Sequence, residues 1–173
     1  MSLRRYNMVL SLYLTTRGFA FTLFEGPLSP VDWGIIERRG LLKNFRCLKA
    51  IRPLIERFRP DALVLQDTSA NGTRRTRRIH NLNQEVQQFA GTAGLPVAVF
   101  TRAQVRTYFE SFGGSTKHGI AEAIAKHVPV FERYLPPARK PWMSEDSRMG
   151  LFDAAALSLT FFHSNASKSD DLP

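Results

Sequence analysis

From residue 8 to residue 36, apolar and polar positions follow the two-residue period of β-strands. Met8–Leu14 alternates between two faces and ends at a turn over residues 15–18 that contains Gly18. Phe19–Phe24 is a second strand pattern, and Val31–Ile36 is a third. Because the connections between them are short, the pattern predicts a three-stranded antiparallel meander.

The middle of the chain changes to helical spacing and back again. Leu41–Phe58 has a helical pattern, and Pro53 within it predicts a kink or a division into two shorter helices. Two short apolar runs, Ala62–Leu65 and Pro96–Phe100, predict buried strands on either side of a helix over Thr76–Phe89. The stripe predicted to be buried on the first helix consists of Leu42, Phe45, Leu48, Ile51, Leu54, Ile55 and Phe58.

The last third of the chain is helical. Thr101 has the side chain of a helix N-cap, and the helix that it opens ends near Gly113; Ser115 or Thr116 caps the next one. A final helix over Arg148–His163 is apolar nearly all round, as in a helix pressed onto a sheet.

Taken together, the elements predict one α/β domain with a mixed sheet over residues 1–164. The polar residues 165–173 predict a disordered tail.

Charge narrows the choice of partners. The chain has 173 residues, with 24 Lys plus Arg against 15 Asp plus Glu, so the formal net charge is 24 − 15 = +9. This surplus favours polyanions, nucleic acid first and an anionic membrane surface second, unless it only keeps the protein in solution. The single cysteine, Cys47, is expected as a packed thiol in a reducing compartment. Without a long apolar segment, the sequence predicts no membrane span and a cytoplasmic protein.

Candidate chemistry lies where the strand Ala62–Leu65 ends. Gln66 and Asp67 follow that strand directly, and a polar loop then leads to four arginines. Open α/β sheets place ligands at the carboxyl ends of their strands, and guanidinium groups bind phosphate. Helical phase predicts that Arg75 lies under the strand ends and that Arg77 faces solvent. The four arginines are Arg74, Arg75, Arg77 and Arg78.

The order of these segments resembles the RuvC-type Holliday-junction resolvases of the ribonuclease H-like superfamily, over approximately residues 7–163. Four segments carry the likeness: LSLYLTTRGFAF as the first hairpin, PDALVLQD as the central strand, TRAQVRTYFESFGGSTKHGIAEAI with Lys117 at the lysine position, and FDAAALSLTFFH as the C-terminal helix. The resemblance implies a five-stranded mixed sheet flanked by helices. It also implies a homodimeric, Mg²⁺-dependent endonuclease with a two-metal site.

The positions that correspond to the family's metal-binding acids are mostly substituted. By resemblance, the first-strand acid falls at Tyr13, the second at Gln66, and the pair in the last helix at Gly150 and Asp153. No Asp or Glu occurs between Met1 and Phe24. The resemblance therefore implies a degenerate site in which only Asp153 is kept.

Other acids offer an alternative site. Asp67 and Asp146, with Asp153, would supply carboxylates for one cation, whereas Glu145 is less well placed; in that case Mg²⁺ is the expected cofactor. Asp153 has a second interpretation as a buried acid paired with an arginine such as Arg75. Lys117 is either a phosphate contact or a surface lysine at the start of a helix.

The leading functional prediction is a protein that binds branched DNA with a degenerate nuclease site. Alternatives are an active endonuclease with a rearranged acidic site, and a protein-interaction module with a basic surface. Trp142 either stacks on an unpaired base or packs against the sheet edge. The predicted phosphate contacts are Arg74, Arg75, Arg77, Arg78, Lys117, Arg139 and Lys140.

Overall fold

The sheet is mixed and has five strands in the order β3-β2-β1-β4-β5. The structure, a computed structural model, describes residues 6–69 and 76–170. β1 pairs antiparallel with β2 and parallel with β4; β2 pairs antiparallel with β3, and β4 pairs parallel with β5. The predicted meander and the two predicted parallel strands are confirmed. The strands are β1 (Met8–Leu14), β2 (Gly18–Glu25), β3 (Pro30–Glu37), β4 (Ala62–Gln66) and β5 (Val97–Phe100).

Five α-helices and one short 3₁₀ helix, Pro129–Tyr134, occur in the described ranges. The predicted caps are present: the Thr101 hydroxyl accepts a hydrogen bond from the backbone of Gln104, and the Thr116 hydroxyl accepts one from Gly119. None of the helices described is long and apolar enough to cross a bilayer. The α-helices are α1 (Lys43–Phe58), α2 (Arg77–Thr92), α3 (Arg102–Glu110), α4 (Lys117–His127) and α5 (Met149–Asp170).

Helices cover both faces of the sheet. On one face, even-numbered positions of β1 such as Leu10 and Leu12 pack with buried residues of α1 and α2. On the other face, Val9 and Val64 pack with Leu157 of α5. That face also contains a polar cluster, in which the buried hydroxyl of Ser158 lies 2.6 Å from Ser11 Oγ and 3.3 Å from Thr22 Oγ1.

Helix α1 differs from the prediction in two respects. It is continuous through Pro53, which lies on the exposed face, where water can hydrate the carbonyl that the proline leaves without a donor. The first two members of the predicted stripe, Leu42 and Phe45, are 73% and 62% exposed, because the sheet and α2 do not extend over them. Cys47 is fully buried, which confirms the predicted packed thiol. This burial raises the pKa of the Cys47 thiol, because the thiolate would lose its hydration.

Helix α5 is longer than predicted. It continues to Asp170, so the disorder predicted from Asn165 is wrong for residues 165–170; residues 171–173 lie outside the described ranges. Two polar side chains in this extension bond to the preceding turn: Asn165 Nδ2 donates to the Phe161 carbonyl and Ser167 Oγ to the His163 carbonyl.

The turn between β1 and β2 requires a glycine. A Cβ atom on Gly18 would lie 2.0 Å from the carbonyl oxygen of Ile36 on β3. Any side chain there would push β3 away from β2. The glycine thus lets three strands and their turns lie close together at one end of the sheet.

Candidate nucleic-acid interface

The carboxyl ends of β1 and β4 meet at a cleft under α5. Tyr13 and Gln66 lie on the same face of the sheet, because β1 and β4 pair in parallel with Leu12 opposite Leu65. Both line the cleft, together with Lys117 from α4 and Asp153 from α5. The structure thus brings together four positions that the sequence singled out.

Lys117 is the cation at the centre of this cleft. Its Nζ lies 3.0 Å from Asp153 Oδ2, forms an ion pair with Glu145 Oε1, and lies 5.5 Å from the centre of the Tyr13 ring. The side chains of Lys117 and Asp153 are 28% and 18% exposed. Burial alone would lower the pKa of Lys117, but the negative charges of Asp153 and Glu145 and the neighbouring Tyr13 raise it above 10.5. Lys117 is therefore a charged and largely enclosed group.

The start of α4 is built so that Lys117 points into the cleft. Thr116 caps the helix, which makes Lys117 its first residue. Gly114 lets the preceding turn approach closely, because a Cβ atom there would lie 3.1 Å from the Cα atom of Ile120. The interpretation of Lys117 as a surface lysine is wrong, since its ammonium is held by two carboxylates.

Gly150 lies beside Tyr13, the residue at the position where the resemblance places the first-strand acid. A Cβ atom at Gly150 would lie 3.3 Å from Ala20 Cβ, 3.6 Å from Thr15 Cγ2 and 4.0 Å from Tyr13 Cδ1. A Cβ atom at this position would be in ordinary contact with the Tyr13 ring and slightly too close to Ala20. The aromatic ring and the glycine are complementary, and together they occupy the space between β1 and α5.

The three acids of the alternative site are not assembled. The Asp67 carboxylate accepts hydrogen bonds from the backbone and the hydroxyl of Ser69. Asp146 precedes α5 instead of lying on it, and it pairs with Arg148. Among the side chains that the structure describes, in residues 6–69 and 76–168, no three Asp, Glu, His or Cys side chains are close enough together to hold a metal ion. The donors around Asp153 therefore do not fit the two Mg²⁺ ions that this fold implies.

Two arginines in the cleft were missed by the sequence analysis. Arg102 and Arg106, four residues apart on α3, line the cleft beside Tyr13, Gln66 and Lys117. Their position was open to prediction, because α3 starts directly after the carboxyl end of β5, the edge at which parallel sheets bind ligands. Helical spacing places both arginines on one side of α3.

The arginines near the start of α2 have different surroundings. Arg77 is exposed, as predicted. Arg78 is half-buried, and its guanidinium donates to Asn44 Oδ1 and to the carbonyls of Thr15 and Thr16. Arg78 thus joins α2 to α1 and to the β1–β2 turn. The predicted residues Arg74 and Arg75 lie outside the described ranges, and so does the suggested pairing of Asp153 with Arg75.

The loop before α5 carries an exposed basic and aromatic group. Trp142 is 78% exposed, so its predicted packing against the sheet edge is wrong. Lys140 Nζ lies 5.5 Å from the centre of the Trp142 ring, a cation–π contact. Arg139 borders the cleft and donates to the carbonyl of Met143, which holds the loop in a turn.

The pair formed by Asp146 and Arg148 has a measurable consequence at low pH. Hydrogen bonds from the Arg148 side chain, 2.9 and 2.7 Å long, lower the pKa of the Asp146 carboxyl from 3.8 to about 2. We therefore expect the pair to stabilise the fold slightly above about pH 4 and to lose this effect as the pH falls to about 2; the effect is small because both groups are solvated. NMR titration of Arg148→Gln should return this pKa toward 3.8, whereas Arg139→Gln should leave it low.

The chain is similar in architecture to solved structures that are distant from it in sequence. Thermus thermophilus RuvC in complex with Holliday junction substrate matches with a TM-score of 0.69 and 17% identity, over 94% of this chain and 97% of that one. The yeast mitochondrial Holliday junction resolvase matches with a TM-score of 0.62 and 12% identity, over 98% and 85%. The Fowlpox virus resolvase in complex with Holliday junction DNA matches with a TM-score of 0.55 and 10% identity, over 90% and 99%.

No family model matches the sequence, and no curated protein does. The structural matches show the fold: this chain has the RuvC-type, ribonuclease H-like architecture that the order of its segments predicted.

Proposed function

We propose that the protein binds branched DNA at the end of the sheet that contains the cleft, and that its cleft does not perform two-metal phosphodiester cleavage. The proposal combines a resolvase fold with the contacts found in the cleft. The observation that carries it is the position of the Lys117 ammonium between Asp153, Glu145 and the face of the Tyr13 ring.

The charge of Lys117 opposes a divalent cation at Asp153. With Nζ 3.0 Å from Oδ2, any Mg²⁺ on that oxygen would meet a positive charge within about 4 Å in a partly desolvated cleft. The repulsion is unfavourable unless Lys117 moves away, and moving it would break its ion pair with Glu145 as well. The aromatic ring at Tyr13 and the missing side chain at Gly150 remove two further positions for carboxylates.

The other cationic side chains around the cleft are arginines, which can bind phosphate groups. Arg102, Arg106 and Arg139 border it, and the chain as a whole has a formal charge of +9. Such a surface attracts a nucleic-acid backbone without reading its sequence. Two of the similar structures were solved as complexes with Holliday junctions, which makes a branched duplex the ligand to test first.

One set of measurements separates this proposal from its alternatives. A labelled four-way junction and a linear duplex of the same arms are titrated with purified protein in Mg²⁺, in Mn²⁺ and in EDTA. We expect tighter binding to the junction, strong dependence on salt, and no cleavage in any of the three. Metal-dependent cleavage abolished by Asp153→Asn would instead establish the rearranged nuclease. Absence of binding at physiological salt would favour a protein-interaction module.

The salt dependence of binding tests the basic surface residue by residue. Arg77 is exposed at the start of α2, on the side of the cleft, so we expect Arg77→Ala to remove one phosphate contact and reduce the slope of log K against log salt by about 0.9. Arg57 is also exposed but lies near the far end of α1, about 21 Å along the helix from its start. Arg57→Ala should leave the slope unchanged. Equal effects of the two variants would mean that the protein binds DNA without a defined surface.

The resemblance to resolvases also implies a homodimer. Light scattering of the free protein and of its complex with the junction tests that expectation directly, because a dimer doubles the mass without DNA present.

A further inference from the structure

The Glu145 carboxylate covers a cation of the cleft. It pairs with Lys117 from the loop before α5, and both residues line the groove that also contains Arg102 and Arg139. Among the residues that the structure describes, no carboxylate forms an ion pair with Arg102, Arg106 or Arg139. These three arginines are exposed, whereas Lys117 is largely enclosed. Glu145 therefore pairs with the least exposed of the four cations.

The two acids that contact Lys117 are held differently. Asp153 lies on helix α5, and its side chain is 18% exposed. Glu145 lies in residues 144–146, which form neither a helix nor a strand, and its side chain is 47% exposed. Exposed side chains change rotamer within nanoseconds, so Glu145 can turn toward solvent and release Lys117 while Asp153 stays in place.

Turns on both sides hold the backbone of Glu145. Before it, the Arg139 guanidinium donates to the carbonyl of Met143. After it, the Asp146 carboxylate accepts hydrogen bonds from the backbone and the side chain of Arg148. Release of Lys117 therefore requires rotation of one side chain and no rearrangement of the loop. The same backbone would return the Glu145 carboxylate to Lys117 when a ligand leaves.

A phosphate group competes with Glu145 for the same ammonium. Carboxylate and phosphate oxygens are both anionic acceptors of short, charge-assisted hydrogen bonds. A phosphate on Lys117 would take the place of Glu145 while the contact of Lys117 with Asp153 remains. Binding of that phosphate would cost the ion pair of Glu145, which partial desolvation in the cleft strengthens.

We propose that Glu145 determines which anions the cleft accepts, because it occupies the phosphate position on Lys117, excludes small phosphate ligands and yields only to a polyanion. This inference rests on the proposed function. A single phosphate ion gains its contact with Lys117 and loses a comparable amount when Glu145 leaves. A DNA strand is also held by the surrounding arginines, so it meets Lys117 at a high effective concentration. Free phosphate would thus leave the cleft open to DNA.

Two neighbouring acids supply the test variant and its control. Glu145→Gln keeps the shape of the side chain and removes the charge that pairs with Lys117. Asp146→Asn removes the same charge at the edge of the same groove, but Asp146 pairs with Arg148. The two acidic side chains are 47% and 36% exposed, so we expect both variants to fold, and circular dichroism checks this.

Inorganic phosphate is the first probe, and it replaces chloride at constant ionic strength. The NMR amide signals of residues 116–119, at the start of α4, report binding at Lys117. We expect Glu145→Gln to bind phosphate about tenfold more tightly than wild type, the value of an ion pair between partly exposed side chains. Asp146→Asn should stay within about twofold of wild type, since it leaves Glu145 on Lys117.

A four-way junction is the second probe, with affinity measured by fluorescence anisotropy. Glu145→Gln should bind it about tenfold more tightly than wild type, and Asp146→Asn within about twofold. Replacing chloride by phosphate at constant ionic strength should leave wild-type binding of the junction unchanged. The same replacement should weaken binding by Glu145→Gln, because phosphate then competes with DNA for Lys117.

Other outcomes contradict separate parts of the inference. Equal gains in junction affinity for the two variants would show that Glu145 acts only through net charge, and the inference would be wrong while the proposed function stands. Equal phosphate binding by wild type and Glu145→Gln would show that Glu145 excludes no small anion. If wild type does not bind the junction, the proposed function fails, and displacement of Glu145 by DNA fails with it. The phosphate titration still decides whether Glu145 excludes small anions.

Discussion

Replacing Lys117 by methionine is expected to lower the free energy of unfolding by about 2 kcal/mol. The change keeps the length and apolar part of the side chain and removes the ammonium that lies 3.0 Å from Asp153 Oδ2. Removing one member of a fully buried ion pair costs about 3–5 kcal/mol; the smaller value applies here because the two side chains are 28% and 18% exposed. The raised pKa of Lys117 means that its contribution is complete below pH 10.5 and is lost only as the pH rises beyond that value.

A double-mutant cycle in guanidinium chloride measures this interaction. Lys117→Met, Asp153→Asn and the double variant are compared with wild type, and we expect the double variant to be more stable than the sum of the single losses predicts, by about 1 kcal/mol or more. Additive losses would show that Lys117 and Asp153 are not coupled. The proposed role of the ammonium as the cation of this cleft would then be wrong.

Gly18→Ala is expected to destabilise the protein by about 3 kcal/mol, because its methyl group would lie 2.0 Å from the carbonyl oxygen of Ile36. That oxygen belongs to the backbone, so relief requires movement of β3 away from β2. The same movement would shift Thr16 and Arg17, which line the space beside Tyr13 and Lys117. We therefore expect loss of junction binding together with a lower unfolding temperature.

Gly91→Ala is the matched control for this substitution. Gly91 lies inside α2, and a Cβ atom there would meet nothing within 4 Å. Alanine in a helix should stabilise the protein by about 0.5–1 kcal/mol. If both glycine variants are equally stable, the close approach at Gly18 does not restrain the hairpin.

The fold was predictable because its signals are local and agree with one another. Strand alternation in Met8–Leu14, the short apolar run Ala62–Leu65 and the caps at Thr101 and Thr116 each indicated the element that the structure contains. Their order was sufficient to predict the mixed sheet. The continuation of α5 to Asp170 was not predictable, because the polar residues after His163 carry no apolar periodicity.

The site was predictable only in part, because its contacts are not local. Strand pairing placed Tyr13 beside Gln66, as the parallel register requires. The partnership of Lys117 with Glu145 depends on the course of the loop before α5, which no periodicity describes. Helical spacing likewise put Leu42 and Phe45 on the apolar side of α1, but it carries no information about where the neighbouring sheet stops.

The buried hydroxyls of Ser11, Thr22 and Ser158 keep helix α5 in one orientation even when residues of the candidate site are replaced. Helix α5 is apolar on nearly every side, so burial alone would tolerate many rotations of the helix about its own axis. The three buried hydroxyls select one of them, since any other rotation leaves polar oxygens without partners in the core. Of the three, Ser158 lies on α5, five residues beyond Asp153, and the cluster contains no carboxylate. The orientation of α5 relative to the end of the sheet therefore does not depend on which side chains occupy the positions of Tyr13 and Gly150.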